Sequence, residues 1–293
     1  MQFGKVAVTG GSGRLGRFVI DELGGSADVT VVDVQQPHGS DVGYVNASTL
    51  DFESLERVFT GHDAVLHLAA IPNPRSAPSH ITFNVNVQGT WNVLQAAENC
   101  GVKRVVVASS DSAVGLNFNP SDWQMQYLPV DESHPLRPSE CYGVSKEVTE
   151  LICRRFAQRG KMEVVVLRPT HIVFAPEYPE LGERGGDVRN YHLWCYVHPA
   201  DVAQAFRLAL SKEELAFDIF FISAAETLSV RPTLDMLRER LGHLPELRKP
   251  ELYEGNPFAS IFDISRAREV LGYQPRHCWK DMAATASVPT KPQ

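Results

Sequence analysis

Eight residues, Thr9-Gly10-Gly11-Ser12-Gly13-Arg14-Leu15-Gly16, constrain this chain more than any other feature. They follow the β-branched segment Lys5-Val6-Ala7-Val8-Thr9 and lead into the helix-like stretch Arg14–Leu23. The glycines satisfy both G-x-x-G-x-x-G (10, 13, 16) and G-x-G-x-x-G (11, 13, 16). Such spacing lets a strand turn tightly into a helix and brings bare backbone against a pyrophosphate, with the helix N-terminus facing the anion. An acid completes the pattern. Asp33 ends the segment Val29-Thr30-Val31-Val32-Asp33, 20 residues after Gly13. A carboxylate there accepts the ribose hydroxyls and repels a 2′-phosphate. Val34, Gln35 and Gln36 follow it instead of Arg or Lys, which favours NAD over NADP.

Strands and helices alternate through the first 170 residues. Further strands are expected at Ala64–Leu68, Arg104–Ser109 and Val164–Arg168. Helices are expected at Leu50–Thr60 (with Asp51 as cap), Thr82–Asn99 and Tyr142–Gln158. This rhythm predicts an α/β fold, a doubly wound parallel sheet with helices on both faces. Pro, Gly and charge then interrupt it, as in Ala175–Arg189. Later come a helix at Pro199–Leu210, a strand at Asp218–Ile222 and helices near Thr233–Leu241 and Ser265–Leu271. The expected organisation is an NAD-binding domain over 1–170 and a small mixed substrate lobe over 171–286, some of whose segments return to the sheet. A short tail, 287–293, follows.

Composition closes off several classes of function. Lys+Arg 28 against Asp+Glu 35 leaves a net charge of −7, a poor match to nucleic acid or an anionic membrane. No apolar run approaches the roughly 18 residues of a membrane span, and the N-terminus enters a strand without an export-signal pattern. The five cysteines (100, 141, 153, 195, 278) are odd in number and form no C-x-x-C pair. No metal site or disulfide framework is expected, and a reducing cytoplasm is the expected location.

Tyr142-Gly143-Val144-Ser145-Lys146 opens the longest helix, placing a phenol and an ammonium on one face. A phenol is a poor base at neutral pH, and a neighbouring ammonium favours its phenolate. The fourth strand ends in Ser109-Ser110, where a hydroxyl can donate to a substrate oxygen. With these residues in place, the chain resembles the extended short-chain dehydrogenase/reductases of the NAD-dependent epimerase/dehydratase family, which have a Rossmann-type fold. The matching pieces also include His67-Leu68-Ala69-Ala70, Asn86-Val87-Gln88-Gly89-Thr90, Leu167-Arg168-Pro169 and Val197-His198-Pro199-Ala200-Asp201-Val202. They run in the family's order over 5–202, and Leu271-Gly272-Tyr273-Gln274-Pro275 is similar to its C-terminal signature.

The resemblance implies Tyr142 as general base, Lys146 as its electrostatic partner and holder of the nicotinamide ribose, and Ser110 as donor to the substrate oxygen, with Ser112 as the alternative. Ser110 is preferred because it lies five residues before Gly115. The resemblance also implies that Gly10, Ser12, Gly13, Arg14, Leu15, Gly16 and Asp33 hold the dinucleotide. Asp51 and Phe52 would then contact adenine, while Leu68, Ala69, Ala70 and Ser109 line the cofactor cleft. Asn86 would support the site's hydrogen bonds, and Pro169 and Thr170 would lie against the nicotinamide. His67 and His198 read as structural.

Relatives acting on nucleotide sugars carry a longer insert after the fifth strand and an arginine before the Val-His segment. Here only 26 residues separate Thr170 from Val197, and Trp194-Cys195-Tyr196 precedes it. This compact region is similar to that of uronate dehydrogenases, which implies a small carbohydrate-like substrate. Arg75, Asp111, His171, Arg184 and Arg189 are the candidate substrate contacts. The leading expectation is oxidation of a hydroxyl-bearing carbon of a sugar, sugar acid or small polyol, with NAD as hydride acceptor. The alternative is an epimerase or dehydratase holding NAD tightly, to which Ser110-Asp111 lends some support. Leu116–Glu132 reads as a surface loop, with a lid as the alternative. Homologues imply a homodimer through Thr82–Asn99 and Tyr142–Gln158.

Overall fold

The computed structural model describes residues 3–37, 42–117 and 123–286. The tail expected at 287–293 and the middle of Leu116–Glu132 lie outside them. The β-branched runs form β1 (Lys5–Thr9), β2 (Asp28–Asp33), β3 (Gly43–Asn46), β4 (Ala64–His67), β5 (Arg104–Ala108), β6 (Tyr127–Leu128), β7 (Glu163–Pro169), β8 (Phe217–Ile222) and β9 (Glu246–Leu247). Seven of them make one sheet in the order β3-β2-β1-β4-β5-β7-β8, while β6 and β9 pair separately. Every pairing in the large sheet is parallel. Val6, Val8, Val65, Leu66, Val105, Val106, Val164 and Val165 are fully buried, as expected of strands covered on both faces.

The helices are α1 (Arg14–Leu23), α2 (Phe52–Phe59), α3 (Ser79–Phe83), α4 (Gly89–Asn99), α5 (Cys141–Gln158), α6 (Leu181–Gly186), α7 (Pro199–Ser211), α8 (Thr233–Leu241), α9 (Pro250–Gly255) and α10 (Trp279–Ala286). Helices α1 and α7 pack together on one face of the sheet, and α2, α4 and α5 cover the other. Residues 171–286 are not wholly separate from this framework, since β8 extends the sheet and α7 covers it. The order in which the chain adds strands reverses between β1 and β4, which puts the topological switch point beside the glycine turn.

The helix expected at Thr82–Asn99 begins earlier, at Ser79, and contains a π segment at Asn84–Gln88. That extra residue per turn leaves Asn86 buried and facing the loop after β4. Helix α5 starts at Cys141, where the Glu140 carboxylate caps it by accepting from the backbone N–H groups of Tyr142 and Gly143. A Cβ on Gly143 would lie 2.7 Å from Ser112 O, so this glycine lets the start of α5 approach the turn that follows β5.

Candidate active site

The carboxyl ends of β1, β2, β4, β5 and β7 open into one cleft of about 670 Å³. At one end lie Gly10, Gly13, Arg14, Leu15 and Gly16. Gly10 has φ +73°, and a Cβ there would sit 2.5 Å from Ala69 N. A Cβ on Gly16 would run into the carbonyl of Gly11. Only glycine fits either place. No side chain caps the N-terminus of α1, and its first turn carries no acid, so the first-turn residues offer the cleft a positive dipole end. Asp33 holds the loop by accepting from Ser12 N and Gln35 N, each at 3.1 Å. Bare backbone, a helix N-terminus and a strand-end carboxylate suit a dinucleotide with a free ribose diol.

Leu68, Ala69 and Ala70 form the neighbouring wall. On the side where adenine is expected, the wall is Val34, just after β2, with Ala47, Ser48 and Thr49 from the turn after β3. Asp51 and Phe52, expected here, do not line the cleft. Asp51 is turned to α2, where its carboxylate accepts from Ser54 N and Ser54 Oγ, and Phe52 packs beside the core beneath. Nor does Asn86 line it. Its Oδ1 accepts from Ile71 N at 2.8 Å, and its Nδ2 donates to Ile71 O and to Ser145 Oγ. Asn86 thereby ties the loop after β4 to α5. His67 is buried between Thr9 Oγ1 (2.7 Å) and Thr90 Oγ1 (3.1 Å), and burial pushes it down to about 3.

Ser109, Ser110, Ser112, Tyr142 and Lys146 meet at the other end of the cleft. Lys146 Nζ donates to Ala108 O at 2.8 Å and lies 5.7 Å from the centre of the Tyr142 ring. The Ser109 hydroxyl is engaged elsewhere, donating to Glu150 Oε1 at 2.6 Å. Ser110 is the serine whose hydroxyl favours the Tyr142 phenolate, although its own proton goes to Asp111 Oδ1 at 3.0 Å. Burial raises the phenol above its ordinary pKa, against the lowering influence of Ser110. Burial also brings Lys146 down to about 8. Desolvation of the phenolate is the largest effect on Tyr142, and the charges of Asp111 and Glu140 raise it further.

Asp111 also lines the cleft, and burial raises its carboxyl despite bonds from Asn117 Nδ2 and Ser110 Oγ. Pro169, Thr170 and His171 continue the wall, and Arg75 stands at the rim, 5.9 Å from the centre of the Tyr191 ring. Arg184 and Arg189 lie outside the lining. Arg184 donates to Glu177 Oε2 and Glu180 Oε2, both at 2.8 Å, and Arg189 is exposed. Burial opposes ionisation of Glu177, but His171 and Arg184 outweigh it and bring the carboxyl to about 2.

Glu150, Phe174, Tyr191 and His192 add to the residues that the sequence marks. Glu150 forms a buried bidentate pair with Arg168, at 2.8 and 2.6 Å. Its four-residue spacing from Lys146 is a signal that the sequence did contain. Phe174, Tyr191 and His192 line the cleft from irregular segments, where no periodicity marks them. Among the described residues no cluster of His, Cys, Asp and Glu is arranged to hold a metal, and no helix is long and apolar enough to cross a membrane.

A glycine-cradled cleft at the switch point of a parallel sheet defines a dinucleotide-binding α/β protein. A model of the NAD dependent epimerase/dehydratase family matches residues 6–184. The chain belongs to this family, within the extended short-chain dehydrogenase/reductases, and is an NAD-dependent enzyme. It is 32% identical over 240 residues to L-arabinose 1-dehydrogenase (NAD(P)(+)) of Haloferax volcanii, covering 78% of this chain and 93% of that protein. It is 28% identical to a putative UDP-glucose 4-epimerase of Methanocaldococcus jannaschii, covering 92% and 93%. A short-chain dehydrogenase/reductase superfamily protein from Agrobacterium tumefaciens, solved with bound NAD, superposes with TM-score 0.73 at 26% identity over 96% of this chain and 95% of that one.

Proposed function

We propose that this protein is a dehydrogenase of a free sugar or sugar acid, one not attached to a nucleotide. The observation that carries this reading is the state of Arg184. Two carboxylates hold its guanidinium, so the short segment after β7 does not offer it to a diphosphate. The similarity to an arabinose dehydrogenase supports the same reading.

In this reading the glycine turn, Asp33 and the 47–49 turn hold NAD, which when bound supplies the acceptor for a hydride. Ser110 donates to the oxygen of the substrate carbinol. Tyr142 acts as the phenolate, which the Lys146 ammonium stabilises at neutral pH, and its Oη takes the hydroxyl proton to become the neutral phenol as the hydride leaves for NAD. Asn86 and Glu150 act as positioning residues, through Ile71 and through the ends of β5 and β7. Residues 1–170 bind the cofactor, and 171–286 add His171, Ile172, Phe174, Tyr191 and His192 to the wall. The protein works in the cytoplasm as a homodimer, joined through α3, α4 and α5, where Ile81, Phe83, Trp91 and Leu151 are exposed.

The test is to mix the protein with NAD and a panel of sugars, sugar acids and nucleotide sugars and to follow NADH absorbance. Net NADH from a free sugar or sugar acid is expected. Isomerised nucleotide sugar without net NADH would replace this reading with the epimerase one, which the similarity to the putative UDP-glucose epimerase supports.

A further inference from the structure

His192 lies in the substrate end of the cleft, and the mechanism above gives it no part. Neither of its ring nitrogens has a hydrogen-bond partner, although both are enclosed. A buried polar group left in this state is costly. The fold nevertheless holds it there firmly. His192 N donates to Asn190 Oδ1 at 2.9 Å, and Asn190 Nδ2 donates to Arg184 O. The next two residues, Leu193 and Trp194, have φ of +52° and +60°. Bulky residues seldom adopt that left-handed conformation, which costs about 1 kcal/mol or more per residue and tends to occur at functional sites. Both side chains are buried, and Trp194 Nε1 is anchored on Asp187 O at 2.9 Å. The strained turn sets the direction of the imidazole.

Two rings adjoin the imidazole. One neighbour is His171, stacked at 4.0 Å and 19°, and the other is the exposed ring of Tyr191, also at 4.0 Å. Burial and the charges of His171 and Arg184 keep His192 well below its ordinary pKa, so it is neutral. A neutral imidazole offers one donor and one acceptor. A sugar hydroxyl is both donor and acceptor and can satisfy either nitrogen, whereas a carboxylate or phosphate only accepts and would leave one nitrogen unpaired. Glu177 and Glu180 already neutralise Arg184, which leaves Arg75 as the arginine cation that lines this end of the cleft.

We propose that His192 is a specificity-determining residue that reads two hydroxyls of an uncharged sugar ring, with Tyr191 moving aside as the ring enters. The inference rests on the dehydrogenase reading only in its choice of substrate class, because the subsite itself is a binding feature.

Binding and turnover test it separately. D-Galactose and D-galacturonate share a ring and differ by a carboxylate, and L-arabinose lacks that carbon altogether. Each is titrated calorimetrically into the NAD-saturated Tyr142→Phe protein, and each is assayed for NADH formation with the parent enzyme. The neutral sugars are expected to bind at least about tenfold more tightly than galacturonate. His192→Leu in the Tyr142→Phe background weakens neutral-sugar binding about ten- to a hundredfold, from loss of a pair of buried hydrogen bonds. In the active enzyme it raises KM by a similar factor while kcat changes less than about threefold. His192→Gln, which keeps one donor and one acceptor, recovers most of the loss, and NAD affinity stays unchanged in both variants as a check on folding. Neutral-sugar binding that ignores His192→Leu overturns the assignment, even if NADH is formed. So does a preference for galacturonate that Arg75→Ala abolishes, because Arg75 would then be reading a carboxylate. Binding that depends on His192 without any NADH upholds the subsite and overturns the dehydrogenase reading.

Discussion

Replacing Glu150 by Gln should cost this protein several degrees of thermal stability. Glu150 and Arg168 are nearly fully buried, with side-chain exposures of 5% and 2%, and they meet through two hydrogen bonds. The amide keeps the shape but removes the charge, leaving the buried Arg168 cation with only the Glu132 carbonyl at 3.4 Å and the nearby Glu132 carboxyl to offset it. Breaking a buried pair from one side costs about 3–5 kcal/mol. Unfolding entropy near the midpoint is about 2.1 cal/mol/K per residue, or about 0.6 kcal/mol/K over 293 residues. The expected fall in Tm is therefore about 5–8 °C, measured by circular dichroism under conditions where unfolding is reversible. The double variant Glu150→Leu with Arg168→Met removes both charges and should recover a substantial part of that loss. A Tm for Glu150→Gln within about 2 °C of the parent would refute the reasoning, because it would mean that water or another group already compensates Arg168. The same pair ties the Ser109 hydroxyl to the end of β7, so the variant should also lower kcat.

Tyr142→Phe should reduce kcat by about two to four orders of magnitude while NAD affinity, measured by calorimetry, stays within about twofold. Comparable activity in that variant would remove the phenol from the proton path. Asp33→Asn should weaken NAD and strengthen NADP, because it removes the charge that opposes a 2′-phosphate; unchanged NAD-to-NADP preference would separate Asp33 from the ribose. Lys146 is cationic below about pH 8 and loses its charge as pH rises through that value. Support for the Tyr142 phenolate is thus present below this window and lost above it. The profile of kcat/KM for the free enzyme should show an alkaline limb near pH 8 that Lys146→Arg moves upward, and an identical limb in that variant would assign it to another group.

What the sequence revealed of this site, and what it hid, follows from the physics that fixes each residue. Gly10 and Gly16 are determined by space within a few neighbours, so their pattern could be read locally. Asp33 and the Tyr142–Lys146 pair are fixed by strand end and helix pitch, which are equally local. The strands β1, β2, β4, β5, β7 and β8 were legible because a strand buried on both faces must be continuously apolar. Strand β3 was missed because its four residues are exposed or half-buried. The turn after β3, with Ala47, Ser48 and Thr49 in the cleft wall, was hidden with it. The burial of Tyr142 was hidden for a different reason. Spacing on a helix shows that an ammonium is near, but it does not show how far both groups are withdrawn from water, and here burial is the larger effect. His192 could not be found at all from spacing. It owes its position to a strained turn held by Trp194 and to the stacking of His171 from another segment. The cofactor half of the cleft is built on regular elements that pattern can predict. The substrate half is built on irregular backbone held by long-range packing, and for that reason substrate specificity was the part of the function that the sequence concealed.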